Sequence, residues 1–465
     1  MPDNLKSISP LDGRYYDHVK ELSNYFSEFA LFKYRLQVEV EYFIKLNKVI
    51  GNKLVDRDKK ELRLLYEKFT LKDAEAIKEE EKIVNHDVKV VELFIKKKLG
   101  ELKKNESKEK DSKNASINNE LVHFSLTSED IDNIAYGLMI NEFISDIFLD
   151  KLEKLKQNLV KKAVKYKNDA MLARTHGQPA SPTTMGKEIA VFLNRLDNQI
   201  KELKKIKIKA KLNGTTGNFS AHHTAYPNID WIGFSKDFIS GFGLEPNLVT
   251  TQIEAGDSLA VVFDCVKRIN NIWIDLCQDM WRYISYDYFT QKIIKQEVGS
   301  STMPHKVNPI SFENAEANLM LANSLLGFFS DKLTKSRMQR DLSDKSVKRN
   351  IGVSFGHCLL GYNNCINGLD KIEINKDKLL KDLNSNIVVI AEAIQTILRR
   401  EGYDKPYEKL KELTRGKSLT MNELKKFIQG LDVDEKVKKE LLILKPENYI
   451  GLASKLVDLA KKECE

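Results

Sequence analysis

The sequence predicts an all-α protein built around a central bundle of long helices. Its ten prolines are unevenly placed, with none between Pro10 and Pro179 and none between Pro309 and Pro406. Proline in a helix interior costs about 3 kcal/mol, so its absence over such distances permits long helices. The chain of 465 residues is also long enough for about three domains.

Two stretches carry the periodicity of helices that bury one face. In the first, apolar residues recur every three or four positions, at Leu152, Leu155, Leu159, Ala163 and Tyr166. The second, from Asp257 to Val298, contains neither glycine nor proline and has the same spacing at Leu259, Val262, Val266, Ile269, Trp273, Leu276 and Met280. A helix of that length would span about 60 Å. It would be stable only in a bundle that covers its apolar stripe.

Changes in composition divide the chain. The segment from Lys96 to Asn119 is polar and rich in lysine, and we predict a mobile loop there, near a domain boundary. A second boundary is expected between Gly361 and Asp370, because the helical patterns beyond it are shorter and broken by glycine and proline. We therefore expect an N-terminal helical domain at 1–119, the central bundle at 120–365 and a C-terminal helical domain at 366–465.

Composition and charge exclude several classes of protein. Apolar residues make up 42% and charged residues 31% of the chain, as in globular proteins. No apolar run has the length of a membrane span, and MPDNLKSISP lacks the apolar core of a signal peptide, so we expect a cytoplasmic protein without a membrane partner. The five cysteines are irregularly spaced, which argues against a disulfide framework or a thiolate zinc site.

The net charge of +8 fits a lysine-rich surface, or a surface that attracts a polyanionic small substrate. Nucleic-acid binding is the weakest interpretation, because no basic run is interleaved with stacking aromatic residues.

Several polar segments interrupt the helical pattern. The stretch GSSTMPHKVNP, residues 299–309, combines glycine, proline, hydroxyl groups and cations, as functional loops do. Others are VNHDVK, FSLTSEDIDN, ARTHGQPASP, TTQIEAGD and SRMQRDLSDKSVKRN. Thr127 or Ser128 could simply cap the helix that follows, and the last segment could be a solvated helix face. No zinc-protease, dinucleotide, phosphate-loop or serine-hydrolase motif occurs, so no metal or cofactor is predicted.

GSSTMPHKVNP closely resembles the signature of the fumarase/aspartase superfamily, and the histidine of MPHK resembles its adenylosuccinate lyase branch. ARTHGQPA, SPLDGRY at 9–15, NHDVKVVE at 85–92, SRMQRDLSD at 336–344 and KPYEKLKELTRGK are similar to the bacterial type of that branch. The resemblance covers nearly the whole chain except the lysine-rich loop. It implies a three-domain helical fold, and a homotetramer in which three chains build each active site. It further implies a purine nucleotide substrate from which fumarate is eliminated.

The resemblance also assigns roles to residues. Ser300 would be the general base, His176 the general acid, and His86 a histidine that supports the acid or binds near the phosphate. Lys306 and Asn308 would stabilise the negative charge that develops on the substrate. Substrate contacts are implied for Arg14, Tyr15, Asn85, His86, Asp87, Thr127, Ser128, Gln252, Ser301, Met303, Lys306, Asn308, Arg340, Lys345 and Arg349.

One position departs from the family's pattern. Five residues after Arg340, where relatives carry a serine, this chain has Lys345, followed by Ser346. Either Lys345 replaces a hydrogen bond with a charge, or the register shifts by one residue.

Two further interpretations stay open at this point. The chain could be another lyase of the superfamily, although those branches usually lack His305 and read THLQ rather than THGQ. It could also be a non-catalytic descendant of the fold, against which the presence of Ser300, His176, Lys306 and Asn308 speaks.

Overall fold

The protein is described by a computed structural model, which covers residues 4–52, 54–106, 118–292, 302–303, 305–415 and 419–464. Most of these residues are helical. The helices of the first half are α1 (Tyr16–Val19), α2 (Ser23–Phe26), α3 (Glu28–Val49), α4 (Asp56–Glu67), α5 (Leu71–Val84), α6 (Lys89–Glu106), α7 (Ser128–Phe143), α8 (Leu149–Lys165), α9 (Met185–Lys205), α10 (Ser220–Ala225) and α11 (Trp231–Ser240).

The second half continues the helical pattern. Its helices are α12 (Asp257–Ser285), α13 (Ile310–Leu333), α14 (Lys345–Lys348), α15 (Ile351–Lys371), α16 (Lys376–Ser385), α17 (Ala391–Arg400), α18 (Pro406–Thr414), α19 (Met421–Gln429), α20 (Glu435–Ile443) and α21 (Ala453–Cys464). Three small two-stranded sheets complete the described residues, formed by β1 (Ala170–Thr175) with β2 (Gln178–Thr184), β3 (Lys209–Ala210) with β4 (Glu245–Pro246), and β5 (Phe289–Gln291) with β6 (Ile372–Ile374). The predicted mostly helical class is confirmed.

The chain forms two compact units. The first comprises Met1–Lys151, Glu202–Asn270 and Asn318–Leu360, and the second comprises Leu152–Lys201, Asn271–Ala317 and Gly361–Glu465. The three contiguous domains expected from the sequence stay a prediction.

The first unit is organised by α3 and α7, which pack against each other. Its core contains a cluster of phenylalanines, in which Phe143 lies 5.2 Å from Phe26 and 4.8 Å from Phe355 between ring centroids. Such offset aromatic pairs add to the free energy gained from burying their surface. Both long helices also bury charged residues, among them Arg35 of α3 and Glu129 of α7.

The second unit has its own apolar core around the C-terminal helices. Leu172 of β1 packs there with Leu383 of α16, Ile394 of α17 and Leu424 of α19. The helix face predicted between Leu152 and Tyr166 is confirmed, since its residues are buried on and just after α8.

Two predicted boundaries are wrong. The long helix predicted to reach Val298 ends at Ser285, where Asp287 adopts a left-handed conformation (φ 58°) and β5 follows. Aspartate tolerates this conformation, so the helix stops without glycine or proline. The lysine-rich loop was expected to begin at Lys96, but α6 continues to Glu106 and buries Leu99. The rest of that prediction, at 107–117, lies outside the described residues.

All five cysteines lie within the described residues and are buried thiols. Along the part of the chain that the structure describes, no helix has both the length and the apolar character needed to cross a membrane.

Candidate active site

A cavity of about 890 Å³ opens in the first unit and is lined mainly by polar side chains. Five separate segments form its wall, and together they contribute Glu81, Asn85, His86, Asp87, Thr127, Ser128, Thr215, Thr216, Gln252, Met338, Gln339, Arg340, Asp341, Leu342, Lys345 and Arg349. Nine of these are residues that the sequence predicts as site residues. Their convergence from positions 85 to 349 makes this cavity the candidate binding site.

The turn after α5 brings three predicted residues to the cavity. Asn85 caps the helix in a left-handed conformation (φ 52°), which asparagine tolerates better than most residues. The chain therefore turns sharply, and His86 is exposed while Asp87 is buried. The Nδ1 atom of His86 accepts a hydrogen bond from the Lys89 N–H at 3.1 Å, so a neutral imidazole carries its proton on Nε2.

Asp87 is the centre of a cationic cluster. Its carboxylate contacts the Nζ of Lys345 at 2.6 Å, an Nη of Arg35 at 2.9 Å and an Nη of Arg349 at 3.2 Å. Burial alone would raise the pKa of Asp87, but the charges of Arg35 and Lys345 outweigh burial and hold that pKa well below its ordinary value. Asp87 is therefore an anion that already neutralises part of the positive charge at the cavity.

A second carboxylate, Glu129 of α7, balances the other cations. It lies 3.2 Å from Arg340 and 2.9 Å from Lys348, and burial raises its pKa above the ordinary value. Arg340 also donates from Nη1 to the Oε1 of Gln252 at 3.2 Å. Its Nε is buried without a hydrogen-bond partner among the described residues.

Thr127 and Ser128 lie at the N-terminus of α7, where a helix of 16 residues presents its positive end. The capping alternative is confirmed for Thr127, which is the N-cap residue, and Asp130 accepts a hydrogen bond from its backbone N–H at 2.9 Å. Because both residues also line the cavity, capping and ligand contact are compatible.

Of the two neighbouring residues Lys345 and Ser346, the lysine faces the cavity. Its side chain lines the cavity and bonds Asp87, whereas the neighbouring Ser346 is exposed and is not part of the lining. Whether Lys345 replaces the serine expected from the resemblance, or the register shifts by one residue, stays a prediction.

His176 lies in the second unit, at the tip of the hairpin formed by β1 and β2. His176 and Gly177 both have positive φ angles, 53° and 75°, and Thr175 pairs with Gln178 across the turn. Two such residues form the tight turn that joins antiparallel strands. The hairpin holds the imidazole in an exposed position on a rigid support.

The other predicted residues lie outside the cavity lining. Arg14 and Tyr15 are in the turn before α1, with the guanidinium 5.9 Å from the tyrosine ring. Met303, Lys306 and Asn308 belong to the second unit and precede α13, where the Lys306 N–H donates to the Met303 carbonyl at 3.1 Å. The serines at 300 and 301 lie outside the described residues.

The buried charges that support the cavity were not among the residues predicted from the sequence. Arg35, Glu129 and Lys211 are almost fully buried and bond residues that line it. Arg35 gave only a weak signal, since its stretch ALFKYRLQVEV in α3 also contains Lys33, Gln37 and Glu39. A charge inside an apolar helix usually has a buried partner.

The fold defines the class of protein first. Two solved structures have the same fold. One is a fumarate lyase from Mesorhizobium sp. BNC1, with a TM-score of 0.72 and 16% identity, covering 95% of this chain and 97% of that chain. The other is a 3-carboxy-cis,cis-muconate lactonizing enzyme from Pseudomonas putida, with a TM-score of 0.70 and 17% identity, covering 96% of this chain and 97% of that chain. The chain therefore has the helical fold of the fumarate lyase class.

Sequence comparison then identifies the family. A family model described as "Lyase" matches residues 13–323, and one described as "Adenylosuccinate lyase C-terminal" matches residues 336–450. A curated adenylosuccinate lyase from Dictyostelium discoideum is 49% identical to this chain, with 97% of each chain covered. One from Escherichia coli (strain K12) is 44% identical, with 98% of this chain and 99% of the relative covered. A relative of the same name from Legionella pneumophila (strain Corby) is 48% identical, with 97% of this chain and 98% of the relative covered. The chain belongs to the adenylosuccinate lyase family and is a lyase.

Proposed function

We propose that this chain cleaves adenylosuccinate into AMP and fumarate, and that it acts in the same way on the succinylated aminoimidazole-carboxamide ribotide. The observation that carries this proposal is the cavity of the first unit. Arg340, Lys345 and Arg349 converge on it. Arginine forks suit a phosphate because they donate paired hydrogen bonds in one plane.

The remaining lining suits the neutral part of a nucleotide. Thr127, Ser128 and Gln252 offer hydroxyl and amide groups that both donate and accept hydrogen bonds. His86 offers the Nε2 proton of its neutral form, since Nδ1 is occupied by the Lys89 N–H. A purine ring and a ribose require this mixture of donors and acceptors.

The proposed chemistry is an elimination that needs two proton transfers. Ser300 removes a proton from the carbon next to a carboxylate, and the electrons of that C–H bond form the double bond of fumarate. The C–N bond breaks, and His176 protonates the departing nitrogen. Lys306 and Asn308 stabilise the charge that grows on the substrate carboxylate. No step in this scheme requires a metal or a cofactor.

We further propose that the active protein is a homotetramer. Met320, Leu321 and Phe328 are 54%, 47% and 52% exposed on one face of α13, a helix of 24 residues. Their spacing along the helix gives a largely apolar stripe, which the exposed Ser324 interrupts. A second copy of the same helix would cover such a stripe, as in closed symmetric assemblies.

The proposed location is the cytoplasm. Five buried cysteine thiols without disulfide bonds suit a reducing compartment.

A substrate comparison tests the proposed activity. The protein is incubated separately with adenylosuccinate, argininosuccinate and aspartate, and fumarate release is measured together with the loss of adenylosuccinate absorbance. We expect equal amounts of AMP and fumarate from adenylosuccinate and no fumarate from the other two compounds. Fumarate from argininosuccinate or aspartate alone would assign the chain to another activity of the class.

A further inference from the structure

A buried ion pair lies behind the cavity wall. The Nζ of Lys211 is 2.9 Å from the Oδ1 of Asp130, and both side chains are fully excluded from solvent. The same ammonium donates to the carbonyls of Gly214 at 2.9 Å and Gln252 at 2.7 Å. An ammonium has three donors, so this environment satisfies all of them.

Asp130 connects two segments of the wall. Its Oδ2 accepts from the Thr127 N–H at 2.9 Å, which holds the start of α7. Its Oδ1 also accepts from the N–H groups of Asn213 and Gly214, at 3.0 and 3.3 Å. One carboxylate therefore sets the position of α7 relative to the loop that carries Thr215.

Gln252 connects the next two segments. Its backbone carbonyl is held by Lys211, while its Nε2 donates to the Thr215 carbonyl at 2.9 Å and its Oε1 accepts from Arg340. Nearby, a Cβ at Gly217 would lie 2.1 Å from the Thr250 carbonyl oxygen, so the two loops are in direct contact. A shift of Lys211 would thus reach the side chain that contacts Arg340.

Taking two charges out of water costs about as much as their attraction returns, so such a pair is weak evidence for stability. Besides their contact with each other, Lys211 and Asp130 make five hydrogen bonds to backbone groups of the surrounding segments. An apolar pair of the same volume could fill the space but could not fix these backbone groups.

We propose that Lys211 and Asp130 are a positioning pair for the reaction: they hold Thr127, Thr215 and Gln252 in register around the substrate without touching it. The proposal rests on the proposed function, because it identifies those three residues with the wall of the substrate site.

Paired variants separate positioning from stability. Lys211→Met and Asp130→Asn each leave one buried charge without its partner, so both single variants should lose melting temperature. The double variant removes both charges and should regain most of that loss. We nevertheless expect its kcat/KM for adenylosuccinate to stay roughly 10²-fold below wild type, mostly through KM, with a parallel rise in the inhibition constant of AMP.

A second buried pair provides the control. Lys156 and Asp197 lie 3.3 Å apart in the second unit, with side chains 8% and 6% exposed. The double variant Lys156→Met/Asp197→Asn should change melting temperature and leave KM and AMP inhibition at wild-type values.

The outcomes discriminate between the two proposals. A folded Lys211→Met/Asp130→Asn variant with wild-type KM and AMP inhibition overturns the positioning role. If that variant does not fold, Asp130→Glu replaces it, since it keeps the charge and displaces the carboxylate by one methylene. Raised KM supports positioning, and unchanged KM refutes it. Wild-type protein that is inactive on adenylosuccinate would instead refute the proposed function.

Discussion

Replacing Lys345 by serine tests how this chain binds the anionic end of its substrate. Two unit charges 4 Å apart attract by about 4 kcal/mol at an effective dielectric constant of 20. The Lys345 side chain is 27% exposed and already bonds Asp87 at 2.6 Å, so solvent and Asp87 both weaken its attraction for a phosphate. We expect Lys345→Ser to cost about 1–2 kcal/mol of binding, a rise in KM of roughly 5- to 30-fold.

Initial rates followed by adenylosuccinate absorbance measure this effect, with kcat expected to stay near wild type because the phosphate is remote from the bond that breaks. Ser346→Ala is the matched control, since the adjacent serine is exposed and outside the cavity lining. A KM within twofold of wild type would show that Lys345 makes no net contribution. A loss of kcat at constant KM would mean that it acts on the reacting atoms.

Three further predictions address other parts of the chain. Ser300→Ala should lower kcat by about 10²–10⁴-fold with KM largely kept, and a larger loss in Ser301→Ala would exchange their roles. Burial lowers the pKa of His222 to about 4. The unfolded chain therefore binds this proton first as pH falls below about 6.5. Lowering the pH from 8 to 5 should therefore reduce the free energy of unfolding, measured in urea, by about 2 kcal/mol less in His222→Gln than in wild type. Equal reductions in the two proteins would contradict this. Deleting residues 107–117 should leave melting temperature and activity unchanged because their composition cannot form a core, and inactivation would show a docked role.

The helical class was predictable because proline placement and apolar spacing act over long stretches. The apolar spacing from Leu152 to Tyr166 directly indicates a buried helix face, as the structure has it. The end of α12 was not predictable from these signals, because the stop at Asp287 depends on a local left-handed turn and on the pairing of β5 with β6 far along the chain. The hairpin at His176 was also missed, because it depends on the left-handed conformations of His176 and Gly177 and on the pairing of β1 with β2.

The site was predictable where its residues are polar interruptions in the sequence. Asn85, His86 and Gln252 stand out in this way, and all three line the cavity. Lys211 does not, because it resembles an ordinary surface residue. Asp130 lies in the polar segment FSLTSEDIDN but resembles an ordinary helix-start residue until the fold brings it 2.9 Å from Lys211. Their role depends on burial among residues that are distant in the sequence, which no local pattern indicates.

We propose that each active site is divided between copies of the chain. The candidate substrate cavity belongs to the first unit, while His176 and the loop around Lys306 belong to the second. We expect each active site to take His176 and Ser300 from different chains. The measurement mixes inactive His176→Ala and Ser300→Ala proteins under conditions that exchange subunits, with mass labels to verify the hybrids. Random assortment should restore roughly a quarter of the wild-type sites. Verified hybrids that stay inactive would contradict the shared site.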